Sequence, residues 1–300
     1  MSDVITTNPN AVAVLYMMGQ SNLWGDAAFH SKVDKPQYDT EPAGMFIWNK
    51  IAGNEPHTPG APGDFVPLTT GFGFQNPPGS NPDAIGSEMQ LSFRFRNLGK
   101  DLYFIKTARG GTSIEPDPKR LDWSPESEGE LYDVWNFHYH RAAIEWLYSR
   151  RKTPHLLGVF WAQGAGDATT NAPPGAAGNY EANLVNLMQR IRTDIGVPNA
   201  SFAIQRETNL AARSHPGLQQ VRDAQTAVGN ADTRAITFNS DTIPGGGPNG
   251  RDFYEKHDGE HYTGNGQVDF GNDAAGQLSR LTAGAALPVI PRPSELSGNL

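Results

Sequence analysis

The sequence contains no cysteine. Disulfides and thiolate metal sites are therefore excluded, and the redox compartment stays undecided. Charge is sparse, at 19% of residues, and it leans acidic, with a formal net charge of −8. Such a surface repels phosphate backbones, which argues against a nucleic-acid partner. Long apolar runs are missing too. The first, Ala11 to Met18, is too short to span a bilayer, so no membrane partner is expected. The opening MSDVITTNPN has no basic start, and no small-residue cleavage site follows it. No signal peptide is visible. The expectation is a cytoplasmic protein, or a secreted or virion-associated one whose signal is removed or not needed. Internal repeats and low-complexity tracts are also lacking.

What is present is glycine and proline, 33 and 23 residues of 300, with tryptophan and phenylalanine spread among them. That mixture points to long ordered loops on a compact scaffold rather than to disorder. Five short β-rich runs have the length of buried strands: Ala11–Met17, Leu102–Thr107, Leu156–Trp161, Ala200–Gln205 and Arg234–Phe238. Helical patterns occur at Glu88–Leu98, Tyr132–Arg151, Tyr180–Ile195, Leu218–Val228 and Gly266–Ala285. The alternation predicts an α/β fold, a three-layer α/β/α sandwich around a central, mostly parallel five-stranded sheet. One domain over 1–300 is expected, with a long loop excursion at 26–87 that either walls a cleft or merely decorates the surface.

In such folds the active site lies at the carboxyl ends of the strands. Three motifs directly follow predicted strands. Met18-Gly19-Gln20-Ser21-Asn22 comes after the first. A serine there can be held exposed beside backbone N–H groups, although a plain helix N-cap reads the same way. It is not the G-x-S-x-G elbow, because Leu23 takes the last glycine position. Arg109-Gly110-Gly111-Thr112-Ser113 follows the second, where a Gly-Gly turn either presents an N–H to a ligand or is only a turn. Trp161-Ala162-Gln163-Gly164-Ala165-Gly166-Asp167 follows the third. There Gln163 either donates to a developing oxyanion or ties down its loop.

A fourth motif, Lys256-His257-Asp258-Gly259-Glu260-His261, comes late. A histidine can serve a serine as general base, and an aspartate three residues away can orient it. Asp241, at the end of the last predicted strand, is the alternative orienting acid. Metal binding by His257, Glu260 and His261 competes with this reading, but zinc needs a further ligand and outer support, and no companion cluster is visible. No metal is expected.

The order of these motifs resembles the SGNH hydrolases, and within them the branch of sialate O-acetylesterases and acetylxylan esterases. Gly19–Asn22, Gly110–Ser113, Trp161–Asp167 and Asp258–His261 carry the resemblance, with weaker echoes at Gly86-Ser87-Glu88 and Val221–Gln225. It spans about Val14 to Gly271. The resemblance implies a flavodoxin-like SGNH fold and a carboxylic ester hydrolase that removes acetyl or other short acyl groups from a carbohydrate. Ser21 would be the nucleophile, His261 the base and acid, and Asp258 the orienting residue. The N–H of Ser21, an N–H of Gly110 or Gly111, and the Gln163 side chain would form the oxyanion hole. No metal or organic cofactor is implied. The chain departs from the branch at Ala162, Ala165 and Gly166, where histidine, glutamate and a small polar residue are usual, so altered loop rigidity or substrate choice is expected. Gln20, Asn22, Trp24, Arg109 and Tyr262 are candidate substrate contacts, and Phe46, Trp48, Phe72, Phe74 and Trp123 are further aromatics in or near loops. The rival readings are a non-catalytic carbohydrate-binding protein on an esterase scaffold and a lipase- or thioesterase-like SGNH hydrolase.

Overall fold

The computed structural model describes residues 8–25, 33, 41–49, 63–72, 83–210, 214–239, 241 and 254–296. The first apolar run forms β1 (Ala11–Gly19), buried along its whole length. Val12, Val14, Tyr16 and Met18 enter one hydrophobic cluster, and Ala11, Ala13, Leu15 and Met17 enter another. A strand covered on both faces needs apolar side chains at every position, which is why this run does not alternate with polar residues. β4 (Leu102–Ala108) and β5 (Thr153–Ala162) flank it in parallel, with Met18 opposite Thr107 on one side and Trp161 on the other. β6 (Phe202–Arg206) and β7 (Ala235–Asn239) extend the sheet beyond β5, again in parallel.

Among the described residues the sheet has seven strands, not five. The two additional ones arise in the 26–87 excursion: β2 (Met45–Asn49), parallel to β4, and β3 (Asp64–Pro67), antiparallel to β2. Their runs, MFIWN and DFVP, are short and set among glycine and proline, so they lacked the length that marked the others. The strand order is β3-β2-β4-β1-β5-β6-β7. Pro67 is tolerated because β3 is an edge strand.

Helices cover both faces. α2 (Ser87–Phe95) and α8 (Gly264–Leu281) pack on one side, where Met89, Phe95, Phe270 and Leu278 join the cluster of Leu15. α6 (Ala176–Asp194) and α7 (Leu218–Ala231) pack on the other. The helical pattern expected at Tyr132–Arg151 forms α3 (Leu131–Val134) and α4 (Ala142–Ser149), joined by a π-helical stretch at Trp135–Arg141, and a short α5 (Ala165–Ala168) follows β5. The wider turn coincides with burial of Trp135, Tyr139 and His140. Tyr16 Oη lies 2.6 Å from His140 Nδ1. Burial lowers the His140 pKa to about 3, so the ring is neutral and shares one hydrogen bond with the tyrosine hydroxyl.

Candidate active site

The nucleophile candidate sits where β1 runs out. A Cβ on Gly19 would lie 2.0 Å from the Ala162 carbonyl oxygen, so only glycine lets β1 and β5 end side by side. Gln20 N–H donates to that carbonyl at 2.9 Å, and Ser21 begins a single helical turn, α1 (Ser21–Trp24). A buried ion pair fixes the end of the turn. Lys106 Nζ lies 2.8 Å from Glu88 Oε2 and donates to the carbonyls of Trp24 and Phe72 at 3.0 Å. This accounts for the Gly86-Ser87-Glu88 echo. Asn22 is buried, and both ends of its side-chain amide are used within the fold. Its amide donates to Glu260 O at 3.2 Å and accepts from Tyr262 N–H at 3.0 Å, tying the serine turn to the late histidine segment.

Ser21 Oγ is 3.1 Å from His261 Nε2, and His261 Nδ1 is 2.8 Å from Asp258 Oδ2. Gly259, at φ +84, turns the chain so that Asp258 Oδ1 also accepts from the N–H groups of Glu260 and His261, at 2.9 and 2.7 Å. Partial burial pushes the Asp258 carboxyl up, but the bond from the His261 ring and the two backbone N–H groups outweigh it and hold the carboxyl well below the usual range. An ionised carboxylate only accepts, so Nδ1 carries the ring proton and Nε2 is left to accept from Ser21. Asp241 is elsewhere: it is bonded to Arg222 and accepts from Asn209 N–H.

Gly110 and Gly111 lie against the serine. A Cβ on Gly110 would be 3.5 Å from Ser21 Cβ, and Gly111 has φ +69. Among the described residues, no acceptor meets the N–H of Ser21, Gly110 or Gly111. Gln163 is not brought to this group. Both N–H bonds of its side chain are used, on Thr112 O at 2.9 Å and Asp167 Oδ2 at 2.6 Å, and its Oε1 accepts from Tyr180 at 3.1 Å. Of the two roles left open for Gln163, the loop tie is the one its contacts describe. Burial pushes Asp167 up to about 7 against the pull of Gln163 and two backbone N–H groups.

The Gly166 departure has a packing reason. A Cβ on Gly166 would stand 2.0 Å from the Thr112 carbonyl oxygen, so the loops after β4 and β5 touch backbone to backbone. Carboxylate support comes from Glu207, just beyond β6, which accepts from Ala165 N–H and Thr208 N–H, each at 3.0 Å. Gln225, within the Val221–Gln225 echo, bridges Gln163 O and Glu207 N–H at 2.9 and 2.6 Å. Glu207 was not anticipated from sequence, although its place at a strand's carboxyl end is the signal that found the other motifs.

A cleft of about 580 Å³ opens over Ser21 and His261. Gln20, Trp24, Gly110 and Gly111 line it, together with Arg120, Asn171 and His215, which carried no sequence signal, and Glu260, weighed in the sequence only as a metal ligand. Tyr262 does not line it. That ring is buried and accepts from Gln205 Nε2 at 2.9 Å. Arg109 lies outside the lining as well, its N–H donating to Gly19 O at 3.0 Å. Trp48 and Trp123 are core residues, and Phe46 stacks on Tyr103. Phe72 packs partly buried against the core, and Phe74 falls outside the described residues. Ligand atoms of His257, Asp258 and His261 lie within 4.8 Å of one another, while Glu260 faces His215 instead. No described helix is long and apolar enough to cross a membrane.

Comparison with known proteins bears on the fold and the family. The chain is similar to a protein from Arabidopsis thaliana, at 17% identity over 89% of this chain and 98% of that one, with a TM-score of 0.62. It is similar to a carbohydrate acetylesterase from Xanthomonas citri, at 17% identity over 90% of this chain and 56% of that one, TM-score 0.61. It is also similar to NanS, at 13% identity over 92% and 98%, TM-score 0.63. At these identities the likeness shows the fold. No curated protein matches the chain in sequence. A family model described as carbohydrate esterase, sialic acid-specific acetylesterase, matches residues 11–280. The chain therefore belongs to that family of carbohydrate esterases and is a carboxylic ester hydrolase, built on an α/β fold with a central, mostly parallel sheet.

Proposed function

We propose that the protein removes O-acetyl groups from an acetylated carbohydrate through Ser21, His261 and Asp258, by way of an acyl-enzyme. The observation that carries the reading is the unbroken chain of contacts from Ser21 Oγ to His261 Nε2 at 3.1 Å and from His261 Nδ1 to Asp258 at 2.8 Å. His261 Nε2 takes the Ser21 proton as Oγ attacks the ester carbonyl. The N–H groups of Ser21 and of Gly110 or Gly111 receive the negative oxygen. Collapse breaks the bond to the sugar oxygen, which leaves with the proton from His261. Water then gives a proton to His261 and attacks the acetyl-serine. Acetate departs, and the proton returns to Ser21.

The cleft volume suits a sugar carrying a small acyl group. Its polar wall of Arg120, Asn171, His215 and Glu260 favours hydroxyl groups over a long alkyl chain. The test is hydrolysis of p-nitrophenyl acetate, butyrate and octanoate by wild type and Ser21→Ala, followed by acetylated sugars. Acetate should be cleaved fastest, and Ser21→Ala should lose on the order of 10⁶-fold in kcat. Equal activity in the variant would remove Ser21 from the mechanism, and rates rising with chain length would favour a lipase-like enzyme. Silence of both proteins on every ester and sugar would favour the binding-protein reading.

A further inference from the structure

We infer that His257, Asp258 and His261 together bind a divalent transition-metal ion such as zinc, and that the bound ion switches the esterase off. The second half of the inference rests on the reading of His261 as the general base for Ser21. Residues 255–263 form a narrow hairpin. Thr263 N–H donates to Glu255 O at 2.9 Å, His257 N–H donates to His261 O at 3.0 Å, and Lys256 bridges to Tyr262. The two histidines are therefore held across the neck, with Asp258 at the tip. Their ring centroids are 5.9 Å apart, and the planes are 18° from parallel. Both rings face the same carboxylate oxygen: Asp258 Oδ2 is 2.8 Å from His261 Nδ1 and 3.8 Å from His257 Nε2. Only the first of these is a hydrogen bond.

Two imidazoles and a carboxylate are what an open zinc site offers, three protein ligands with a fourth position for water. Ligand atoms about 2.1 Å from one ion at tetrahedral angles stand about 3.4 Å apart. Here all three lie within 4.8 Å of one another. The His257 side chain is 35% exposed, so it is free to make the movement of about 1 Å that closes the site. Asp258 Oδ1 accepts from the N–H groups of Glu260 and His261, which fixes the carboxylate and leaves Oδ2 for the ion. Binding through Nδ1 then reverses the His261 tautomer. A neutral imidazole carries one proton, so when Nδ1 gives its lone pair to the ion, that proton passes through water to Nε2. Nε2 becomes a donor, Ser21 keeps its proton, and Oγ cannot attack. The ion sits behind the ring, since neither His257 nor Asp258 lines the cleft, and substrate still enters.

The test titrates zinc chloride into p-nitrophenyl acetate hydrolysis by wild type and His257→Ala. Without zinc the two should turn over alike. Micromolar zinc should lower the wild-type kcat with KM little changed, and a chelator should restore it. In His257→Ala the half-inhibiting concentration should rise at least about tenfold. Equal inhibition of the two proteins, no inhibition of wild type, or an effect on KM alone would overturn the inference. A second measurement uses only wild type and does not depend on turnover: a crystal soaked in zinc. Anomalous density should lie about 2.0–2.2 Å from His257 Nε2, Asp258 Oδ2 and His261 Nδ1, and its absence there would overturn the site. If wild type cleaves no ester at all, the reading of Ser21 and His261 fails and the switch with it, while the density still decides whether the ion binds.

Discussion

The loop after β5 and the turn that carries His261 face each other across one cleft, yet they are held in different ways. Gln163, Asp167, Glu207 and Gln225 are all buried, and each bonds to another or to the loop backbone. Across the cleft, the Asp258 side chain is 42% exposed, and three of its hydrogen bonds come from its own turn. The difference follows from what each side does in the proposed reaction. The loop after β5 backs the Gly110-Gly111 turn through Gln163 on Thr112 O, and the N–H donors of such a turn must be in place before charge develops, because reorganising them during the reaction would raise the barrier. A base must exchange protons with incoming water, so its surroundings stay open. The buried side spends several polar groups on rigidity, and the open side relies on one carboxylate.

That reliance predicts the largest effect after loss of the serine itself. Asp258→Asn should lower kcat about 10⁴-fold, because an amide no longer fixes the ring tautomer. Folding should be little changed at so exposed a site. Asp241→Asn is the matched control, since Asp241 bonds to Arg222 and to the Asn209 N–H instead of His261. Steady-state rates for both variants decide the matter, and a comparable loss in Asp241→Asn would show that the open side depends on more than its own turn.

A smaller effect should come from uncoupling the serine turn from the histidine turn. Asn22 joins them through Glu260 O and Tyr262 N–H. In Asn22→Ala the histidine turn loses both bonds, and a displacement of about 1 Å would cost roughly 10²-fold in kcat. Modification of Ser21 by a fluorophosphonate should slow in parallel with turnover, since both need His261 in place. Unchanged rates would mean that the turn holds its own position.

The open turn was also the more legible of the two in the sequence. Asp258 and His261 are local partners, and a spacing of three predicts their contact without knowledge of the rest of the chain. The five strands of continuous apolar residues were legible for a similar reason, since burial on both faces leaves a mark at every position. β2 and β3 left too short a mark, and the loop containing them was recognised only as an excursion. The buried loop could be located but not resolved. Whether Gln163 points into the cleft depends on Thr112, Asp167 and Tyr180, from three separate segments. Glu207, whose carboxyl meets the Ala165 N–H, lies 42 residues beyond the position where the pattern places an acid. Asn22, Arg109 and Tyr262 sit beside reactive groups in sequence, yet their side chains serve the scaffold or lie off the cleft, because neighbours along a loop face different ways.

The smallest predicted effect concerns stability on the buried side. Burial pushes the Glu207 carboxyl up to about 7 from an ordinary 4.5, against the pull of the Thr208 and Ala165 N–H groups. Between those values the folded protein holds a proton that the unfolded chain has released. The stability tied to that proton is fully present below about 4.5 and is lost as pH rises through about 7, on the order of 3 kcal/mol in all. Asp258 acts in the reverse sense at lower pH: its depressed carboxyl adds stability above its ordinary value of 3.8 that is lost on acidification. The Asp258 window scarcely overlaps that of Glu207, but Asp167, also raised to about 7 by burial, shares it, so the difference between wild type and a Glu207 variant from pH 5 to pH 8 is what reports on Glu207. Glu207→Gln removes the ionisation while keeping one acceptor, so the variant should be less stable at pH 5 but lose less on going to pH 8 than wild type does. The slope, not the level, is the test. A slope equal to that of wild type would mean that Glu207 is ionised throughout, and that the loop after β5 is anchored on a buried charge rather than on a neutral acid.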